Sequence, residues 1–480
     1  MKKWAIFIDG RPVTPSKSDY LPVYDKATGQ ILAGIPACSA DYADLALQSA
    51  RLAFEKWARL LPQERATLLH QAAHVVRVET PGLARLLLAE TGRSPSSVER
   101  ELRALVDLLD FFAEEGLRLR SHPPGQLPPL AWTLSRRAPV GVVVALLSAD
   151  WPLLTLGQVL APALAAGCAL VAKPAPATPL ASLRLAALLG EAGLPAGLFN
   201  VVTGPGEAIG WLLTTHDLTG QITFSGEPNT GRHVAAQAAQ GDKPILLEPC
   251  EPGTAIFTAE ANLDEAVPAF VKHCFLDAGQ HRNRINRLFV QSEVYAEVTS
   301  RLAQAAAEVA VTPNQHSTDF MGPLVKVNRE IQLQSQLEVA LGQGAGLLCG
   351  GQRLRDAALG SGCYWPPTIL IDTTPVMPVM RGLDVGPLLA VMKAGTLAEA
   401  IQAANACGAG KDAVIFNQNL LAALSAAEQL CASSIWLNRL PPRPGGGSAE
   451  APADRGDLLP ESWGISVEGY LAAKQIHLSV

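Results

Sequence analysis

The sequence predicts an α/β fold built from two doubly wound parallel sheets. Short unbroken apolar runs such as Val142 to Leu147 and Ala169 to Ala172 suit strands covered on both faces. Longer stretches between such runs carry apolar residues at helical spacing, so strand and helix alternate. The alternation restarts after Glu248, which places a domain boundary near residue 250.

Taken in order, Trp4-Ala5-Ile6-Phe7-Ile8 reads as a strand and Asp41 to Trp57 as a helix. A helical block from Pro62 to Arg118 is broken at Thr80-Pro81-Gly82 and at Thr91-Gly92. The strand from Val142 leads into a helix from Leu153 to Ala166, which Gly167 closes. After Ala169 to Ala172 and Lys173-Pro174, Thr178 supplies an N-cap and Pro179 the first position of a helix that stops at Gly193. Phe199 to Thr203, Gln221 to Phe224, Ile245 to Leu247 and Ala255 to Phe257 are further strands. Helix Leu263 to Leu276, strand Arg287 to Gln291 and helix Tyr295 to Val309 open the second set. Pro441 to Asp457, with its three consecutive glycines, reads as an exposed loop or a partly disordered segment, and Gly469 to Leu478 as an edge strand.

Composition narrows the function classes. The 480 residues include 38 basic and 44 acidic side chains, a net charge of −6 that gives no general electrostatic reason to bind nucleic acid or an anionic membrane. Apolar stretches such as Val159 to Ala172 fall short of the ~18–20 residues of a membrane span. The apolar run ending at Asp9 is too short for a signal-peptide core. Eight scattered cysteines form neither a CxxC pair nor a short Cys/His cluster, which suits reduced thiols in a cytoplasmic protein and no metal site.

Several residues could carry chemistry. Gly204-Pro205-Gly206 with Gly210 follows a strand, but its GxGxxxG spacing suits a plain strand-to-helix turn better than a pyrophosphate loop. Lys173, at the end of a buried strand, is placed either to meet a ribose or phosphate or simply to be solvated. Glu248 emerges from the apolar run Pro244-Ile245-Leu246-Leu247, where a carboxylate becomes a usable general base unless it is merely exposed. His281 reads as packing or surface, and His70 and His74 as helix surface without a third metal ligand.

From Ile6 to His477 the chain resembles the NAD(P)-dependent aldehyde dehydrogenase superfamily. Val23-Tyr24-Asp25-Lys26-Ala27-Thr28-Gly29 is similar to its opening segment and Ala161-Pro162-Ala163-Leu164-Ala165-Ala166-Gly167-Cys168 to its core helix. Lys173-Pro174 with Thr178-Pro179-Leu180, Glu191-Ala192-Gly193-Leu194-Pro195, Phe199-Asn200-Val201-Val202-Thr203-Gly204 and Ile222-Thr223-Phe224-Ser225-Gly226 follow at the family's spacing. Leu247-Glu248 matches the general-base strand, and Ala278-Gly279-Gln280 with Arg287-Leu288-Phe289-Val290 the nucleophile loop.

The resemblance implies an aldehyde-dehydrogenase-like layout: a cofactor-type domain of residues 1–120 and 141–250, a former catalytic domain of 251–440, and a small β oligomerisation element of 121–140 and 455–480. It implies NAD or NADP held near Lys173, Gly226 and Glu227, and assembly as a homodimer or higher oligomer. The family reaction needs a thiolate, an oxyanion hole, a hydride acceptor and a glutamate-activated water. Here the third residue after Gly279, where the nucleophilic cysteine belongs, is Arg282, and a guanidinium cannot replace a thiolate. Asp150, in Ser148-Ala149-Asp150-Trp151-Pro152, stands at the oxyanion-hole asparagine. Glu227 puts a negative charge where a pyrophosphate would lie, Leu383 replaces the ribose-binding acid, and Cys250 and Glu251 replace two glycines after the general base.

The expectation is therefore a catalytically silent member whose old site holds a charge network, with Arg282 among Asp150 and Glu248. One alternative is an active dehydrogenase using a displaced thiol such as Cys250, which shares a side with Glu248 on an extended segment. Another is a scaffold or hetero-oligomer partner of an active homologue.

Overall fold

The computed structural model describes residues 1–16, 19–119, 131–249, 252–281, 283–313, 320–326, 328–356, 359–381, 386–408, 410–441 and 465–479. Two short strands open the chain, β1 (Ile6–Ile8) and β2 (Arg11–Val13), followed by the hairpin β3 (Tyr20–Tyr24) and β4 (Ile31–Pro36). Four helices come next: α1 (Ala40–Trp57), α2 (Pro62–Val78), α3 (Thr80–Thr91) and α4 (Pro95–Leu117). The strand β5 (Ala131–Pro139) precedes the repeating units β6 (Val142–Leu146), α5 (Pro152–Ala166), β7 (Ala169–Lys173), α6 (Leu180–Glu191), β8 (Phe199–Val201), α7 (Gly206–Thr215), β9 (Thr219–Gly226), α8 (Pro228–Gln240) and β10 (Ile245–Pro249).

These strands form one sheet in the order β10-β9-β6-β7-β8-β1-β2, parallel from β10 to β8. Every residue of β6, β7 and α5 is buried, which is what unbroken apolar runs require: the sheet is covered on both faces. From β6 the chain winds through β7 and β8 to one side, then crosses to β9 and β10 on the other. The strand order thus reverses between β6 and β9, and the crevice outside their carboxyl ends is where a doubly wound sheet takes ligands.

The second sheet follows with β11 (Gly253–Phe257), α9 (Leu263–Phe275), β12 (Ile285–Gln291), α10 (Tyr295–Ala307), α11 (Asn328–Gly342), β13 (Gly346–Cys349), β14 (Thr368–Ile371), α12 (Pro378–Arg381), β15 (Leu388–Ala394), α13 (Leu397–Ala406), β16 (Asp412–Phe416), α14 (Leu420–Gln429) and β17 (Ser434–Leu437). Its order is β13-β14-β15-β12-β11-β16-β17, antiparallel only at β13. Each sheet has its own apolar core, one around α5 and β6, the other around β11 and β12. The last strand, β18 (Leu471–Ser479), pairs antiparallel with β5 from Leu471↔Pro139 to Ser479↔Ala131. Among the described residues no helix is long and apolar enough to cross a membrane.

One local expectation is corrected. The hydroxyl of Thr178 does not cap α6; it donates to the Ala149 carbonyl at 3.2 Å. The first N–H groups of α6 go instead to the buried Glu90 carboxylate, from Leu180 at 2.8 Å and Ala181 at 3.0 Å. A carboxylate from another helix satisfies the same orphan donors more strongly than a local hydroxyl would. Gly204-Pro205-Gly206 is a strand-to-helix turn between β8 and α7, with Gly204 at φ 146°. Pro441 is described, whereas 442–457 lie outside the described residues.

Candidate active site

The turn after β6 carries Asp150 to the switch crevice. Trp151 holds it in place from a left-handed conformation, φ 49°. The next helix, α5, starts on a carboxylate: Glu101 Oε1 accepts the N–H of Leu153 at 2.7 Å and of Leu154 at 3.0 Å. Glu101 also pairs with Arg93, whose guanidinium lies over the Trp151 ring, 4.4 Å from its centroid. Helix α4 and the residues just before it therefore fix the backbone that presents Asp150.

Asp150 itself is 5% exposed and is gripped by Arg329, at the start of α11, through Nη1–Oδ1 at 2.8 Å and Nη2–Oδ2 at 2.9 Å. Burial pushes the Asp150 carboxyl up, but Arg329, with smaller help from Lys326 and Arg284, outweighs it and holds the group below its ordinary value. The side chain is a carboxylate with both oxygens engaged. It offers acceptors only, the opposite of what a developing oxyanion needs.

Gln280 ties this pair to the loop before β12. Its Oε1 accepts from Arg329 Nη1 and from the Val325 N–H, each at 2.9 Å, and its Nε2 donates to the carbonyls of Asp277 at 3.0 Å and Pro323 at 3.1 Å. Upstream, Asp277, Ala278 and Gly279 are three successive left-handed residues, φ 52°, 55° and 65°. Only Gly279 takes this conformation without strain, and a side chain there is excluded anyway: a Cβ would stand 2.2 Å from the Gly386 carbonyl. Asp277 is held by the Ser97 hydroxyl, which donates to its Oδ2 at 2.7 Å.

The second acid of the crevice is Glu227, between Gly226 at the end of β9 and the start of α8. It pairs with Lys326 Nζ at 3.2 Å. Lys326 and Arg329 thus reach from one segment of the second half to two carboxylates of the first. Val325, next to Lys326 in the chain, packs with Ala149 and Ala175 in a small buried cluster that Ala177 flanks. Lys173, at the end of β7, is buried, and burial lowers its amine to about 8 against the opposing pull of Glu207. Glu248 sits in register with Ser225 on β9, at the same end of the sheet as Asp150.

Arg282, expected beside Asp150, lies outside the described residues, as do Cys250, Glu251 and Leu383; among the described residues the guanidinium that grips Asp150 is Arg329. Lys326 and Arg329 were missed because nothing local marks them. The only signal was the demand itself: a buried acid requires a cation. Of the cysteines described, burial raises the thiols of Cys38, Cys168, Cys274, Cys349, Cys363 and Cys407, reaching about 12 at Cys168 and Cys363. His281 is buried, its Nε2 donating to the His273 carbonyl at 3.1 Å with the two rings edge to face. His70, on the surface of α2, lies between Asp110 at 2.7 Å and Glu114 at 2.9 Å, which raise its pKa. Among the described residues no group of three or more His, Cys, Asp or Glu side chains is arranged to hold a metal.

The family model described as aldehyde dehydrogenase family matches residues 13–449. The chain belongs to the aldehyde dehydrogenase family. Among its relatives, 3-sulfolactaldehyde dehydrogenase of Pseudomonas putida is 33% identical, covering 91% of this chain and 89% of the relative. Betaine aldehyde dehydrogenase of Cereibacter sphaeroides is 34% identical, covering 90% and 88%. The crystal structure of lactaldehyde dehydrogenase from Escherichia coli superposes with a TM-score of 0.91 at 28% identity, over 100% of this chain and 99% of that one. Betaine aldehyde dehydrogenase of Staphylococcus aureus in complex with NAD+ gives a TM-score of 0.92 at 24% identity, over 99% and 95%, a likeness of fold.

Aldehyde dehydrogenases use a dinucleotide, and in this chain an acid stands at the start of α8. A pyrophosphate at the N-terminus of α8 would meet the Glu227 carboxylate and compete with it for Lys326. The Asp150 carboxylate is already committed to Arg329.

Proposed function

We propose that this aldehyde dehydrogenase homologue keeps the family fold without its aldehyde oxidation. The bidentate Asp150–Arg329 pair carries the reading. At the position where the family resemblance calls for an oxyanion donor, it sets a carboxylate whose oxygens are both occupied. Removing one oxyanion donor costs about 3–4 kcal/mol of transition-state stabilisation, and a negative charge opposes the oxyanion outright. Arg282 at the nucleophile position supports the same conclusion, because a group that is never deprotonated cannot form the hemithioacetal. The ion-paired Glu227 supports weak binding of NAD or NADP.

Assembly as a homodimer or larger oligomer, or beside an active homologue, belongs to this proposal. The β5–β18 ribbon, paired over nine residues of β18 and joined to neither main sheet, supports it.

Aldehyde-dependent NADH formation, measured on the full chain with Cys250→Ala in parallel, tests the reading. The expected result is no NADH above the blank. Turnover that vanishes in Cys250→Ala would overturn it in favour of a displaced thiol.

A further inference from the structure

Beside the Asp150 turn, buried donors outnumber their acceptors. Arg93 is 3% exposed and bonds Glu101, yet its Nη1 has no hydrogen-bond partner among the described residues. The same holds for Nε1 of Trp151, the ring beneath Arg93, and for Nε and Nη2 of Arg100, on the second turn of α4. Arg100 stands close to Arg93: after burial and the opposing pull of Asp277, its like charge helps bring the Arg93 guanidinium down to about 10. Among these groups the orphan acceptor is Asp277 Oδ1, since Oδ2 takes the Ser97 hydroxyl.

A buried unpaired donor costs about 1–3 kcal/mol, so a native chain that keeps several together normally has something to fill them. Two guanidinium forks match the two oxygens of a carboxylate, and an indole N–H adds a third direction of approach. The leftover Asp277 oxygen needs a donor, which a hydroxyl on the same ligand provides. Arg100 is the half-buried member of the cluster, although its Nε and Nη2 are themselves shielded from solvent.

We infer that Arg93, Arg100 and Trp151 bind the carboxylate of a small hydroxy acid, whose hydroxyl donates to Asp277. The donors lie on α4, just before it, and on the turn into α5, and involve neither Arg329 nor position 282. The site therefore stands whether or not aldehydes are oxidised.

Titration calorimetry on the full chain with glycolate, acetate and inorganic phosphate tests this. Glycolate is expected to bind saturably with one site per chain, acetate several-fold more weakly for want of the hydroxyl. Arg100→Gln, at a half-buried position, is expected to weaken glycolate at least tenfold with an unchanged unfolding midpoint. Trp151→Phe, which keeps a ring under Arg93 and removes only the N–H, is expected to weaken it several-fold. Absence of saturable heat with all three compounds overturns the site, as does wild-type affinity in both variants. Phosphate binding tighter than either carboxylate overturns the assignment to an organic acid.

Discussion

Asp150 and Arg329 stand 179 residues apart in the chain and share two hydrogen bonds of 2.8 and 2.9 Å, with their side chains only 4% and 3% exposed. The pair joins the switch crevice of the first sheet to the first turn of α11, a helix of the second half. A bond of this kind is hard to break from one side, because the surviving charge stays buried without its partner.

Asp150→Ala and Arg329→Met are each expected to destabilise the chain by about 3–5 kcal/mol. The double variant is expected to lose less than the sum, since it strands neither charge. Urea unfolding of the four proteins in a double-mutant cycle measures the coupling. Additive losses would mean that the pair contributes nothing specific.

The same pair sets an acid limit. Asp150 titrates below its ordinary value in the folded chain, so its contribution is fully present above the unfolded pKa of about 4 and is lost as pH falls through the folded value. Wild type is expected to lose stability faster than Asp150→Ala as pH drops below about 4. Equal slopes in pH-dependent unfolding would contradict the ion-paired carboxylate.

Much of this architecture was readable beforehand, and the reason is local. The runs at Val142 and Ala169 are apolar at every residue because both faces of β6 and β7 are covered, and the strands fall within a residue or two of those runs. The two acids of the crevice were equally plain, since Asp150 and Glu227 interrupt motifs that carry no charge in the family they resemble. Their partners were not readable. Lys326 and Arg329 stand in Leu324-Val325-Lys326-Val327-Asn328-Arg329 with no spacing that marks a site, and only the fold brings them to the crevice. Thr178 misled for the opposite reason: it satisfies the local N-cap pattern, but the stronger acceptor, Glu90, arrives from α3, 90 residues earlier.

Glu90 supplies a pH dependence of the opposite sign. Burial raises its carboxyl from 4.5 to about 7, against the N–H groups of Ala181 and Leu180 and the nearby Lys26 and Arg93. The folded state holds this proton more tightly than the unfolded chain, so the contribution of Glu90 to stability falls as pH rises from about 4.5 to 7 and is level above that. Relative to Glu90→Gln, wild type is expected to decline across this window at up to ~1.4 kcal/mol per pH unit. Parallel curves for the two proteins would refute the buried, protonatable cap.

Gly279→Ala is expected to cost more than the ~1–2 kcal/mol of a left-handed alanine, because the methyl group must also displace the Gly386 carbonyl, 2.2 Å from the Cβ position. Thermal unfolding of the full chain gives the loss directly. A neutral effect would show that the loop before β12 moves freely past Gly386.

The last prediction concerns nucleotide affinity. Glu227 places its charge just before the first turn of α8, where partial positive charge and free N–H groups would otherwise receive a phosphate, and it occupies Lys326 as well. Glu227→Ser removes the repulsion and releases the lysine together. Calorimetric titration with NAD is therefore expected to show weak or undetectable binding in wild type and at least tenfold tighter binding in the variant. Lys326→Met acts in the other direction, leaving the Glu227 charge without its partner and the crevice more negative, so any wild-type affinity is expected to fall. If wild type already binds NAD at micromolar concentration and Glu227→Ser changes nothing, the acid at this helix start does not control the cofactor.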